Sequence, residues 1–411
     1  MINTEKTIIY ITRDIERALG MAPSEKYIVV SNKTAYSEKI KKLYPDFVHL
    51  IQSPTSDLLG TTELLAHPET VKLITPDSCL LVFKNTLRVE SQIGVNHWHT
   101  INPKSYLAER VENKLSQIRW LGELGTKYLP SHTAKQAKFI SWKNDPFIIQ
   151  WAHGHTGDGT ILIKTREELS ALQEKFPERM ARLSSFIKGP SFTVNAVVAK
   201  DKILMGNISY QITGLQPFTD NEFSTIGNDW GFAHNVLSEN SRSSIENIVK
   251  DIGTKLQKDG WRGLFGVDVI IDEKSKRVYL IEVNARQPAS TTFESNLQEE
   301  ARKKGAVGLT TFEAHLLALL DSPITENIIA VTDGAQIIQR VTKNVQGIFD
   351  NACTSLESKD YQVVVYQNTV LNSDLLRIQS AGSITEDHGL LNAKGIAIME
   401  TIKSCKLNLQ V

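Results

Sequence analysis

GWRGLFGVDVIIDEKSKRVYLIEVNARQPAST, residues 260–291, reads as two apolar-rich strands around the polar segment DEKSKR. If Asp272 and Arg277 flank a short turn, Asp272 pairs with Val278, and Asp268 then faces Glu282 across the ladder. Cross-strand neighbours approach to roughly 4.5–5.5 Å between Cβ atoms, and like charges at that distance destabilise a sheet unless something positive lies between them. Side chains two apart share a face, which sets Glu282 beside Asn284 and turns Ile281 and Val283 toward the core. Two carboxylates and an amide form an all-oxygen set of the kind that hard Mg²⁺ accepts together with waters and phosphate oxygens. The pattern suggests a nucleoside triphosphate site; the plainer alternative is a surface hairpin whose charges are solvated.

Gly263, Gly266, Asp268, Glu282, Asn284 and Arg286, with Pro288 following, make this more than an isolated pair of acids. The arrangement resembles the metal-binding end of ATP-grasp enzymes. Those enzymes use ATP to activate a carboxylate, bicarbonate included, as an acyl phosphate that a nucleophile, usually an amine, then attacks. The resemblance implies ATP and Mg²⁺ (or Mn²⁺) as cofactors, with Asp268, Glu282 and Asn284 holding the metal. It implies Arg286 as the catalytic residue that stabilises the transferring phosphate or the acyl phosphate. It covers residues 1 to about 325, strongly at 260–291 and more loosely elsewhere.

The 411-residue chain is long for one core and suits two or three compact units. Lys plus Arg and Asp plus Glu balance at 46 each, so no net field favours nucleic acid or an anionic membrane surface. Small-molecule chemistry is the better expectation. Cys79, Cys353 and Cys405 are widely spaced, which fits reduced thiols rather than a disulfide framework or a metal-binding pair. The segment MINTEKTIIYITRD lacks the apolar core of a signal peptide, and no apolar run approaches the roughly 20 residues that span a bilayer. A cytoplasmic protein without a membrane partner is expected.

Apolar runs at 7–12, 26–32, 48–53 and 79–84 alternate with polar or helix-like stretches, the rhythm of a small parallel α/β unit over residues 1–104. No GxGxxG loop follows the first strand, which disfavours a dinucleotide-binding domain. From Ser105 the spacing of Leu107, Val111, Leu115 and Ile118 predicts a helix that stops near Gly125. By resemblance, Lys114 reaches the nucleotide phosphates; an exposed helical lysine is the alternative.

PFIIQWAHGHTGDGTILI, residues 146–163, reads as strand, loop, strand, with Gly154, Gly157 and Gly159 in the loop. Glycines let successive backbone N–H groups turn toward an anion, so a phosphate lid is implied. His153 and His155 lie in the same loop without other ligands at metal-binding spacing. ATP-grasp enzymes commonly carry Lys where Gln150 stands and a Glu near Ser185, where the hinge meets adenine and ribose. This chain departs at both positions, so nucleotide binding is expected to rest more on Lys114, Lys188 and the metal.

FTVNAVVAKDKILMGNISYQI reads as paired strands. A loop-rich stretch of about 30 residues through Asn240 follows, a candidate substrate loop with Phe223, Asn228, Asp229, Trp230 and His234 as contacts, Trp230 and Phe232 as core anchors being the equal alternative. Ser243 and Glu246 read as the capping box of a helix lined by Ile245, Ile248, Val249, Ile252 and Leu256 and closed by Gly260. Residues 326–411 read as a separate lobe with strands in GAQIIQRVTKN, YQVVVYQN and LLRIQSAGS, a helix from Ala393 to Lys403, and Arg340 as a candidate carboxylate clamp, a surface arginine being the plainer reading.

The expected architecture is α/β, with α+β character in the ATP-grasp part. It comprises an N-terminal domain at 1–104, an ATP-grasp domain at 105–325 with a lid at about 146–210, and a small C-terminal lobe at 326–411. The function implied by the resemblance is ligation of a small carboxylic acid to an amine, releasing ADP and phosphate. A bicarbonate-using carboxylase and a nucleotide-binding regulatory protein without turnover are the alternatives. Dimers are common in the family, so a homodimer is open.

Overall fold

The computed structural model describes residues 6–55, 57–152, 159–343, 350–359 and 361–407. β1 (Thr7–Ile11), β2 (Tyr27–Asn32), β3 (Val48–Ile51) and β4 (Ser78–Val82) form a parallel sheet in the order β3-β2-β1-β4. Successive residues of β1 project to opposite faces. Ile9 and Ile11 pack with Leu64, Leu65, Val89 and Ile93 of neighbouring helices. Ile8 and Tyr10 pack instead with Phe312 and Leu316 of the helix Thr311–Leu319. A later part of the chain therefore completes the N-terminal core, and Tyr10 Oη donates to Gln287 Oε1 at 2.7 Å.

The expected single helix from Ser105 is three short ones, Ser105–Glu112, Lys114–Leu121 and Glu123–Tyr128. Asn113 breaks the first by taking extended backbone and capping the second, its Oδ1 accepting from the N–H groups of Leu115 and Ser116. Lys114 thereby becomes the first residue of a helix.

β5 (His132–Gln136), β6 (Phe147–Trp151), β7 (Thr160–Ile163) and β8 (Met180–Ser185) form an antiparallel sheet in the order β5-β8-β6-β7. The helix Arg166–Lys175 backs it, setting Leu169 and Leu172 against Ile149, Trp151 and Ile163. The opposite face carries Ile148, Gln150, Thr160, Arg182 and Ser184, all of which line one cavity. After β8 the chain crosses to the central sheet at Gly189, whose φ is +152°; a Cβ there would lie 2.0 Å from the Ile271 carbonyl oxygen.

β9 (Ser191–Val198), β10 (Ile203–Thr213), β11 (Thr225–Asp229), β12 (Gly263–Ile271), β13 (Val278–Asn284), β14 (Ala335–Arg340), β15 (Gln362–Val365) and β16 (Asp374–Ser380) build one sheet in the order β13-β12-β9-β10-β11-β14-β16-β15. β17 (Thr385–Asp387) and β18 (Leu390–Leu391) form a small hairpin. The strands expected after 326 exist, but they do not stand apart: β14 pairs with β11, so the central sheet runs unbroken into the C-terminal part. Backbone N–H and C=O groups along β11 need partners once buried, and β14 supplies them.

The stretch before Asn240 is also less irregular than its composition suggests, since it contains β11 and the helix Trp230–Val236. Asp229 caps that helix by accepting from Phe232 N at 2.8 Å. The long helix starts at Glu239, not at Ser243, because Ser238 Oγ caps it through Ser241 N. Its anticipated face, from Ile245 to Leu256, is buried as expected.

In the β12–β13 hairpin Asp268 does face Glu282, yet Asp272 does not pair with Val278. Ile271 holds that rung, one residue out of the expected register, and a bulge between Asp268 and Val269 on the ladder restores it. The bulge leaves Ile281 as the extra residue. It therefore lines the cavity instead of entering the core as Val283 does. At the turn Asp272 accepts from Lys274 N and Ser275 Oγ, both at 2.9 Å, which tightens the loop and accounts for the offset.

Candidate active site

One cavity of about 500 Å³ lies between the sheet of β5–β8 and the central sheet. Lys114, Gln150, Ser185 and Lys188 line it together with Asp268, Glu282, Asn284 and Arg286. Gly159, next to the lining residue Thr160, has φ +95°, and its carbonyl accepts from Trp151 N at 3.0 Å. Gly154 and Gly157, like His153 and His155, lie outside the described residues.

Asp268 forms the centre of the acidic wall. Its Oδ1 accepts from Thr193 Oγ1 at 2.6 Å and from Gln211 Nε2 at 2.9 Å, and its Oδ2 accepts from Asn284 Nδ2 at 3.0 Å. Burial and the opposing charge of Glu282 push its carboxyl up to about 6, against the pull of Thr193, Asn284 and Lys114. Lys114, almost fully buried, forms an ion pair with Glu282. Two facing carboxylates thus share one ammonium, and the remaining repulsion is what a divalent cation relieves.

Among the described residues no three His, Cys, Asp or Glu side chains cluster. The set here is two carboxylates with an amide, which fits Mg²⁺ because that ion keeps several waters and phosphate oxygens.

Burial of the strand end continues its alternation past Asn284, with Ala285 inside and Arg286 facing the cavity. Arg286 donates from Nη1 to Glu112 Oε1 at 2.5 Å, and Lys84 forms a second ion pair with Glu112. Burial alone would raise the Glu112 carboxyl, but Arg286 and Lys84 outweigh it and hold it below its ordinary range. Glu112 therefore remains an anion that fixes one side of the Arg286 fork.

Gln150 donates to Thr160 Oγ1 at 3.3 Å. Lys188, well exposed, pairs with Glu273 at 3.0 Å. Of the anticipated substrate contacts, Phe223 and Asn228 line the cavity. Asp229 and Trp230 do not: Trp230 packs on Phe293, and Asp229 Oδ2 accepts from the N–H groups of Ile384 and Thr385. His234 is exposed elsewhere.

A further set of lining residues is basic. Arg340 donates to Asp374 Oδ1 at 2.7 Å and Arg377 to Asp374 Oδ2 at 3.2 Å, with Arg17 alongside. Burial raises the Asp374 carboxyl, yet Arg340, Arg377 and Arg17 together pull it below its usual range. Arg340 Nε and Arg17 Nη1 are buried without a hydrogen-bond partner among the described residues. Arg340 was legible as a candidate clamp. Arg17, Arg182, Thr193, Gln211 and Arg377 were not, because isolated residues on separate strands carry no local signal of shared location.

Residues 111–290 match the ATP-grasp domain family. No curated protein sequence matches the chain. Among solved structures, N5-carboxyaminoimidazole synthetase from Staphylococcus aureus complexed with ADP is similar at 13% identity and TM-score 0.64, covering 98% of both chains. N5-carboxyaminoimidazole synthase from Aspergillus clavatus, in complex with ADP and 5-aminoimidazole ribonucleotide, is similar at 12% identity and TM-score 0.63, covering 99% of both. L-amino acid ligase from Bacillus licheniformis is similar at 15% identity and TM-score 0.62, covering 98% of both. At such identities the likeness is one of fold, and it extends along nearly the whole chain. Residues 111–290 of this chain thus match the ATP-grasp domain family, and the acidic wall with its lysine, Lys114, Asp268, Glu282 and Asn284, lies within that span.

Proposed function

We propose that the protein is an ATP-dependent carboxylate–amine ligase. The observation that carries this reading is one cavity lined by a metal-type acidic wall, by Arg286 and by the arginines Arg17, Arg340 and Arg377. The similar solved structures are consistent with it, because they include an amino-acid ligase and synthetases complexed with ADP.

The reaction balances as two displacements. The γ-phosphoryl group of ATP passes to a carboxylate oxygen of the acid, forming an O–P bond as the bond to ADP breaks. The amine nitrogen then attacks the acyl carbon, the carbon–oxygen bond to phosphate breaks, and the amine proton leaves to phosphate or solvent. Phosphoryl transfer needs positioning and countercharge more than acid–base work. Asp268, Glu282 and Asn284 would hold Mg²⁺ or Mn²⁺, which would supply countercharge to phosphate oxygens when bound. Lys114 adds a fixed cation beside Glu282. Arg286, anchored on Glu112, presents the rest of its planar fork to the transferring group. Arg340 and Arg17, each with an unpartnered N–H, offer donors to the carboxylate of the second substrate.

The reading extends to a cytoplasmic setting, as a single chain or a homodimer acting on small molecules. Cys79 is buried and its thiol is pushed up by burial, as suits an unreactive cysteine. Among the described residues no helix is long and apolar enough to cross a membrane.

Phosphate release from ATP, measured across a panel of small acids crossed with amines, tests the proposal. Turnover requiring both an acid and an amine is the expected result. Turnover that requires bicarbonate would assign the protein to carboxylation, and ATP binding without release under every combination would leave a regulatory protein.

A further inference from the structure

Arg182 is the exception among the arginines of the interior. Arg286 pairs with Glu112, Arg340 with Asp374, Arg377 with Asp374 and Glu16, and Arg302 with Glu299 and Glu313. Arg182 is only 1% exposed, yet among the described residues it forms no ion pair. Its Nη1 lies 3.5 Å from the Ile281 carbonyl oxygen, at the outer limit of a hydrogen bond, and its Nε is buried with no partner. Burial pushes its guanidinium down to about 10, which leaves it charged at neutral pH. A buried charge without a counterion is costly, and such a cost persists where a ligand supplies the missing charge.

The ladder shows where that ligand would lie. Gln150 and Arg182 are direct cross-strand partners on β6 and β8, and both face the cavity. Lys114 and Glu282 line the same cavity, and Glu282 is the acid whose field Arg182 feels. Gln150 brings two N–H donors but no charge to its place on β6. Arg182, one strand over, brings five donors and a charge.

We infer that Arg182 binds the phosphate chain of the nucleotide, supplying from β8 the countercharge that Gln150 on β6 lacks. This rests on the ATP-dependent reading above. Removing Arg182 should weaken any ligand with two or more phosphates and leave a nucleoside untouched. A structural arginine would show no such discrimination.

Calorimetric titration of the full chain with Mg·ATP, ADP and adenosine tests it in four forms: wild type, Arg182→Met, Arg182→Lys, and Arg182→Met combined with Gln150→Lys. Arg182→Met should lose about 10- to 100-fold in ADP and ATP affinity, the range of a charge-assisted hydrogen bond or two, with adenosine binding unchanged. Arg182→Lys should fall between, and it serves as the folded variant if the Met form does not fold. The double variant, which returns a cation to the same face from the neighbouring strand, should regain most of the loss. Equal ADP affinity in wild type and Arg182→Met, parallel loss of adenosine and ADP, or no recovery in the double variant would overturn the inference. A wild type that binds neither nucleotide would sink the ATP-dependent reading itself. Pyrophosphate then decides the inference separately: binding lost in Arg182→Met upholds a polyphosphate role, and binding absent or unchanged overturns it.

Discussion

Glu282 stands opposite Asp268 across the β12–β13 ladder, and Lys114 pairs with Glu282 while Asp268 is held by Thr193, Gln211 and Asn284. The two acids therefore differ in what their loss would do. Glu282→Ala removes a metal-type ligand and frees Lys114, but it leaves the hydrogen bonds of Asp268 intact. Phosphate release should fall by at least about 100-fold with the circular dichroism spectrum preserved. Normal turnover in Glu282→Ala would remove the metal role from this pair.

Arg286 separates reaction from binding. Arg286→Lys keeps the charge beside Glu112 but loses the planar fork that holds Glu112 and a ligand oxygen together. We expect kcat to fall by about 10²-fold or more, with the affinity for ATP changed only slightly. Steady-state kinetics paired with a nucleotide titration decide it, and a mutant whose sole defect is weaker ATP binding would contradict this role.

His315 sets an acid limit on stability. It is buried on the helix Thr311–Leu319, its Nδ1 accepts from Leu264 N at 3.0 Å, and burial pushes its imidazole down from 6.5 to about 3. The unfolded chain takes up the proton first, so the contribution of neutral His315 is complete above pH 6.5 and is lost steadily as pH falls toward 3. The loss approaches about 1.4 kcal/mol for each pH unit inside that window. His315→Asn keeps an acceptor near Leu264 without the titration. Urea unfolding at pH 7.5 and pH 5.5 should show a smaller pH dependence in the variant; an identical pH dependence in both proteins would exclude His315 as its source.

Gly189 tests the crossing between the two sheets. At φ +152° and with the Ile271 carbonyl oxygen 2.0 Å from the site of a Cβ, alanine forces the backbone to move. Gly189→Ala should cost about 2–4 kcal/mol in urea unfolding. A variant as stable as wild type would show that the crossing adjusts freely.

Much of the site was legible because its residues lie on one hairpin. Strand alternation couples Glu282 to Asn284 and, past the strand end, to Arg286 without any distant information. The facing of Asp268 and Glu282 came out right although the turn register was wrong by one, since the bulge that adds Ile281 cancels the offset at Asp272. The helix from Ser105 was misjudged for the opposite reason. Its apolar spacing continued through Asn113, where a local side-chain cap broke the backbone.

By itself the sequence determined the local periodicities: four apolar runs that became β1 to β4, the paired strands around Lys200 and Asp201, the buried face of the long helix, and the acids of the hairpin. These depend on neighbours within a few residues, where spacing alone sets which side chains share a face. Only the tertiary structure decided that β14 joins β11, that Phe312 completes the N-terminal core, and that Arg182 lies beside Gln150. Those contacts join residues tens to hundreds of positions apart. They are selected by burial and backbone pairing over the whole chain, and a single sequence carries no local trace of them.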